Sequence, residues 1–514
     1  MFSRLFLLFA IIALLSGCAV NPVTGKNELL LVGEQWELDT GAKQYAPARQ
    51  AQGGDYVVDP ELSVYVSQVG QRLAAVSDRK LPYEFKVLNN TVPNAWAMPG
   101  GKITINRGLL TELESESELA AVLGHEIVHA AAKHGAQSMT RGIFLQAGVA
   151  GLAIATKDED YAQWAQTGGA IGAQLINQKY GRDDEREADY YGMLYMSRAG
   201  YDPQGAVDLQ RTFLALQDGG RQDWISGLFA SHPPSLERLQ NNIAMLATLP
   251  KGGETGVKRY QTRIARLVRT KSAYEAFDKG REALKEKDFN KARKLAQQAI
   301  ALEPDEAVFY GLLGDVEQKN RQLQQAVKQY SKAISLNPGF FYHYLQRGIV
   351  NRELNFSARA EADLKQSVQL FPTADAYYSL GNLSRQAGQL SVAKDYYAKV
   401  AGSSNEIGKQ AYGALVDLDL KDNPADYIKV NTRQNTQGIL VAEISNPTPR
   451  TISAIELAVD YKNAQGQTRR LNVLLRGSVA AESKRLFDPG ITKRLIQDNA
   501  TEYSLKIVAA QVVN

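Results

Sequence analysis

Three of the chain's five histidines fall in LGHEIVHAAAKH, residues 123–134. His125 and His129 stand four apart, with Glu126 directly after the first. On a helix that spacing is about one turn, with a rotation of about 40°. Both imidazoles then point the same way and can hold one metal ion. Imidazole suits zinc, and a catalytic zinc site adds one more protein ligand while keeping a position open for water. Glu126 is near enough in azimuth to reach that position. His134, five residues past His129, is rotated off the shared face and is not counted as a ligand. The plainer reading is a polar stripe on a surface helix. It fits poorly, because Leu123, Ile127 and Val128 mark the helix as buried, and buried neutral histidines need partners.

A third ligand is expected on a later helix, and GRDDEREADYYGMLYM, residues 181–196, is the best candidate. Glu185 and Asp189 are four apart there, again one helical face. Glu187 is the rival ligand; it faces away from Asp189, so Glu185 is preferred. H-E-x-x-H followed by E-x-x-x-D in the context R-x-x-E-x-E-A-D resembles the CAAX-prenyl-protease/HtpX-like zinc metallopeptidases. NPVTGKNELLLV, NAWAMPGGKITINRGLL and SHPPSLERL are similar to the exported branch of that family, which includes the β-barrel assembly-enhancing proteases. The resemblance covers roughly Asn21 to Leu239. It departs at Gly181, where the family often has serine.

Carried over by position, the resemblance implies one Zn2+ per chain on His125, His129 and Glu185, with Glu126 as general base. Asp189 would accept a hydrogen bond from a ligand histidine. His232, in SHPP, would lie near the metal, stabilising an oxyanion or occupying the open position at rest. The implied fold is an α+β gluzincin-type peptidase domain. The implied activity is endopeptidase cleavage of unfolded or misassembled envelope proteins. We expect substrate to pair along an exposed edge of the KITINRG strand. The alternative is a chaperone-like binding lipoprotein whose metal site is latent or self-blocked.

Several elements must position these residues. Ser115 and Glu118 form a capping box for the histidine helix. KITINRG alternates Ile103 and Ile105 with polar neighbours, a strand pattern, after a Pro-Gly-Gly turn. GIFLQAGVAGLAIAT, residues 142–156, is read as a packed helix or a movable cover, being too short to span a bilayer. Beyond the peptidase region, 18–250, comes a linker helix at 251–273. Then Pro304, Pro338 and Pro372 recur every 34 residues, as do Gly280, Gly314, Gly348 and Ala292, Ala326, Ala360. Gly381 and Ala393 mark a further unit, one residue early. This period resembles tetratricopeptide repeats, an all-α solenoid over 274–405, which would recruit clients or an envelope assembly complex. From 425 to 514 the chain is strand-rich. Ile455, Leu457, Val459 and Tyr461 share one face, as in a small β-sandwich.

Residues 1–17 read as a lipoprotein signal peptide. Arg4 precedes an apolar run that ends in Leu15-Ser16-Gly17-Cys18, which resembles a bacterial lipobox with Cys18 as the lipidated residue. Cys18 is the only cysteine, so no internal disulfide can form. Ala19 after it favours the outer membrane, by resemblance to the usual sorting rule, with the chain facing the periplasm. A net charge of +4 over 514 residues, with no basic run, gives no support for nucleic-acid binding.

Overall fold

The computed structural model describes residues 18–141, 180–218, 228–403, 405–434, 439–498, 500 and 502–513. The signal segment and the stretch 142–156 lie outside them. The described residues fall into two compact units, divided between Leu354 and Asn355. No described helix is long and apolar enough to cross a membrane.

The first unit begins with a short hairpin, β1 (Cys18–Val20) and β2 (Asn27–Leu29), followed by α1 (Glu34–Ala51) and α2 (Pro60–Ala74). A three-stranded sheet follows: β3 (Glu84–Leu88), β4 (Ala95–Met98) and β5 (Lys102–Asn106), in the order β3-β5-β4. The KITINRG strand is thus β5, at the centre, parallel to β3 and antiparallel to β4. This corrects the expectation that it offers an edge to substrate. Its residues from Ile103 to Asn106 are all buried, because the sheet is covered by helices and central strands bury both faces. Among the described residues the edge strand on that side is β4.

The histidine helix, α3 (Glu116–Ala131), is buried along nearly its whole length. Ser115 caps it by accepting from the Glu118 N–H at 3.2 Å. The Glu118 carboxylate reaches back one residue further than a capping box requires, to the Glu114 N–H at 2.9 Å. Helices α4 (Arg182–Arg198), α5 (Gln204–Asp218), α6 (Leu228–Ser231) and α7 (Leu236–Leu246) complete the peptidase region. The stretch read as a linker holds α8 (Val257–Arg269), whose Tyr260, Ile264 and Leu267 are buried in the same core as α3. The Tyr260 hydroxyl donates to the Leu110 carbonyl at 2.6 Å.

The repeats of this unit are α9 (Lys271–Lys285), α10 (Phe289–Leu302), α11 (Ala307–Lys319), α12 (Leu323–Leu336) and α13 (Phe341–Glu353). Their period has a steric cause. A Cβ on Gly314 would lie 2.6 Å from the Tyr330 ring, and one on Gly280 2.9 Å from Leu312. Ala292 and Ala326 are fully buried where the paired helices meet.

The second unit continues with α14 (Ser357–Leu370), α15 (Ala374–Gln386), α16 (Leu390–Ala401) and α17 (Glu406–Asp419). It closes with two antiparallel three-stranded sheets. One is ordered β10-β7-β6, from β6 (Lys429–Gln434), β7 (Leu440–Asn446) and β10 (Ser483–Phe487). The other is ordered β11-β8-β9, from β8 (Ile452–Lys462), β9 (Thr468–Val479) and β11 (Glu502–Val512). Ile455, Leu457, Val459 and Tyr461 are buried along β8. Ala442, Ile444, Leu457 and Ile507 share one core with Val416 of α17, and Val459 and Tyr461 pack in a second cluster with Leu440, Ile491 and Leu495.

Candidate metal centre

Two helices carry most of the centre, and glycine brings them together. A Cβ on Gly192 of α4 would lie 3.1 Å from the His125 backbone nitrogen, and one on Gly124 of α3 would lie 3.2 Å from the Gly192 carbonyl. Only two glycines allow this approach, which sets Glu185 and Asp189 against His125 and His129. His232 arrives from a third element, one residue past α6. The prolines after it end that turn, and Ser235 starts α7 by accepting from the Arg238 N–H at 3.2 Å.

His125, His129, Glu185 and His232 each turn one ligand atom inward, and these atoms all lie within 4.8 Å of one another. His125 Nε2 is 3.0 Å from His129 Nε2 and 3.3 Å from His232 Nδ1. Glu185 Oε1 is 2.8 Å from His232 Nδ1 and 3.5 Å from His129 Nε2. Glu126 is buried beside the cluster, its Oε1 3.6 Å from His232 Nε2. Its Oε2 has no hydrogen-bond partner. Asp189 Oδ1 is 3.0 Å from His125 Nδ1, so an ionised Asp189 accepts that N–H and leaves the Nε2 lone pair directed at the cluster. Glu187 is not in the group. It binds Lys26 Nζ at 3.1 Å and His134 Nε2 at 3.4 Å instead.

Sequence reasoning missed three neighbours. Arg238 pairs with Asp189 through Nε at 2.7 Å and Nη2 at 2.7 Å, and its Nη1 is 2.8 Å from Glu185 Oε2. It lies inside SHPPSLERL, but nothing in that segment says where its side chain goes. His134 Nδ1 is 2.8 Å from His129 Nδ1. It gets there because Lys133 adopts a left-handed φ of 62°, which breaks the helical azimuth used to set His134 aside. The Tyr180 ring stacks on His129 with centroids 3.8 Å apart. A cavity of about 40 Å3 adjoins His125, Glu126 and His232, with Met193, Met196 and Phe213 on its apolar side.

Burial and charge set the ionisation of these groups. Burial raises the Glu126 carboxyl above the ordinary range. Burial lowers His129 well below the usual imidazole value, keeping it neutral. Burial opposes ionisation of Glu185, but His232, Arg238 and His125 outweigh it and hold the carboxyl well down. Burial likewise opposes Asp189, and Arg238 overrides it. These donors fit a divalent cation: converging imidazole nitrogens, an ionised carboxylate and an adjacent unpartnered carboxylate oxygen.

The model of peptidase family M48 matches residues 60–244, and a tetratricopeptide repeat model matches residues 277–339 and 345–406. The metalloprotease YcaL of Escherichia coli is 33% identical over 181 residues, covering 34% of this chain and 69% of that protein. The chain belongs to peptidase family M48. The chain is also 35% identical over 187 residues to the putative beta-barrel assembly-enhancing protease of Vibrio cholerae, covering 35% of this chain and 36% of that protein. The beta-barrel assembly-enhancing protease of Escherichia coli is 24% identical over 424 residues, covering 67% of this chain and 83% of that protein. The chain thus matches about a third of the Vibrio relative's length and most of the Escherichia relative's. The four clustered residues and Glu126 all fall within the M48 match.

Proposed function

We propose that this chain is a zinc metalloendopeptidase of the bacterial envelope that cleaves unfolded or misassembled proteins. One observation carries the reading: His125, His129 and Glu185 converge beside a buried carboxylate oxygen, Glu126 Oε2, that has no partner. These three would hold zinc. When bound, zinc acts as a Lewis acid that makes water nucleophilic near neutral pH and polarises a carbonyl oxygen.

The chain's own residues do the rest. Glu126 takes the proton of the attacking water at Oε2 and passes it to the departing amine nitrogen. Burial raises its carboxyl above the ordinary carboxylate range, which favours proton uptake. Asp189 holds His125 in the tautomer whose Nε2 faces the cluster, and Arg238 holds Asp189 and Glu185 in place.

His232 favours a second, compatible reading. A catalytic site takes three protein ligands, and His232 Nδ1 supplies a fourth donor within the cluster. In this arrangement His232 blocks the site at rest. Swung out, its imidazole is placed to stabilise the carbonyl oxygen as charge develops. Cys18 is assigned as the lipid anchor, holding the chain to the outer membrane on the periplasmic side, with the repeats recruiting clients or an assembly complex.

Casein hydrolysis tests the proposal. Wild type should cleave and a chelator should stop it, while Glu126→Gln should lose activity by about 10²-fold or more. His232→Ala cleaving faster than wild type supports the self-blocked state. Undiminished cleavage by Glu126→Gln rejects the mechanism.

A further inference from the structure

Both histidines of the α3 motif turn Nε2 toward the cluster. A cation can use that lone pair only if the ring carries its proton on Nδ1. For His125 the acceptor of the Nδ1–H is a carboxylate, Asp189, at 3.0 Å. For His129 it is a second ring, with His134 Nδ1 2.8 Å from His129 Nδ1. A neutral imidazole carries one N–H and one lone pair. His134 therefore accepts from His129 only when its own proton is on Nε2. In the opposite tautomer His134 aims an N–H at His129 Nδ1. His129 must then carry its proton on Nε2, the nitrogen that faces the cluster.

The geometry supplies a group that chooses between these states. His134 is buried, and its Nε2 lies 3.4 Å from Glu187 Oε2. An ionised carboxylate only accepts, so it demands the Nε2–H form of His134. Two residues along a helix turn by about 200°, so Glu187 faces away from Glu185 and reaches the centre only through His134. Helix α4 thus serves both ligands of α3. Asp189 orients His125 directly, and Glu187 orients His129 through one intervening ring.

The β1–β2 hairpin holds this carboxylate in place. Lys26 Nζ donates to Glu187 Oε1 at 3.1 Å, which leaves Oε2 for His134. Glu28 of the same hairpin accepts from Asn21 Nδ2 at 2.9 Å and from the amide of Gln137, just past His134. The hairpin therefore grips both sides of the His134–Glu187 contact.

On the zinc reading above, we propose that Glu187 is a positioning residue of the metal centre, fixing His129 through His134 in the tautomer that binds the cation. It does so without touching the cation itself.

Zinc affinity of the full chain, measured by competition with a chromophoric chelator, tests this. Glu187→Gln keeps the shape of the side chain, but its amide nitrogen can donate to His134 Nε2 and so admits the wrong tautomer. It should bind zinc about tenfold more weakly than wild type. Asp183→Asn makes the same charge change at an exposed site of the same helix and should bind as wild type does. His134→Asn sets an amide oxygen where the ring's Nδ1 stood, which accepts from His129 without Glu187. In that background Glu187→Gln should change affinity by less than about twofold. The metal-free chain gives a second readout, with five histidines to assign by 15N labelling. Two-bond 1H–15N spectra should show His134 protonated on Nε2 in wild type, and that single state should be lost in Glu187→Gln. Unchanged affinity in Glu187→Gln, an equal loss in Asp183→Asn, the full loss persisting with His134→Asn, or wild-type His134 protonated on Nδ1 overturns this proposal alone. A wild-type chain that takes up no zinc overturns the zinc reading together with it.

Discussion

Replacing Arg238 with leucine should reveal how the centre tolerates its buried carboxylates. Arg238 is 8% exposed. It contributes two 2.7 Å bonds to Asp189 and one 2.8 Å contact to Glu185. Removing it leaves two ionised carboxylates without their shared cation, and breaking a buried pair this way costs about 3–5 kcal/mol. A domain of about 200 residues shifts roughly 2–4 °C per kcal/mol, so the metal-free variant should melt about 6–20 °C lower. The assay is convenient because all four tryptophans, Trp36, Trp96, Trp164 and Trp224, lie in the peptidase region. Of these, Trp36 and Trp96 lie among the described residues, and Trp96 is buried, so its fluorescence reports that region's unfolding. Arg238→Leu combined with Asp189→Leu should lose less than the sum of the single changes, by at least about 1.5 kcal/mol. A loss under about 1 kcal/mol for Arg238→Leu, or simple additivity, would refute the idea that this guanidinium holds the centre together.

Two further outcomes follow from neighbouring contacts. His134→Phe removes the ring nitrogen 2.8 Å from His129 Nδ1 and should weaken zinc binding about 10–100-fold, read by competition with a chromophoric chelator; unchanged affinity would show that the contact does not orient His129. Glu118 is buried, and burial raises its pKa to about 7. Its folded value thus exceeds its unfolded one, so the folded state holds the proton longer. Stability is fully present below about pH 4.5 and is lost as pH rises through about 7, by roughly 3 kcal/mol. Glu118→Gln keeps an acceptor for the Glu114 N–H, and its urea-unfolding curves should lack that decline between pH 5 and 8. A parallel decline in both proteins would reject the assignment.

Much of the site could be read from spacing, because helical periodicity converts sequence distance into direction. That worked for His125 with His129 and for Glu185 with Asp189, each within one unbroken helix. It correctly left His134 out of the ligand cluster, but could not place its ring against His129, because the left-handed Lys133 ends the helical azimuth. It was silent on Arg238, whose partners are set by how α7 docks on α4, and on the pairing of Gly124 with Gly192, which matters only when two helices cross. The strand pattern of KITINRG identified β5 but could not say which strands flank it, so a central strand was taken for an edge. The 34-residue period was legible because one steric requirement, room for a partner helix, recurs at Gly280 and Gly314.

The central claim is that one divalent cation sits on His125, His129 and Glu185. Elemental analysis of full-length chain, purified without chelator, tests it most directly. The account predicts about one zinc per chain for wild type and for Glu126→Gln, and under about a tenth of that for Glu185→Gln. A wild-type chain that holds no metal and takes none up, or a Glu185→Gln variant that holds as much as wild type, would contradict it.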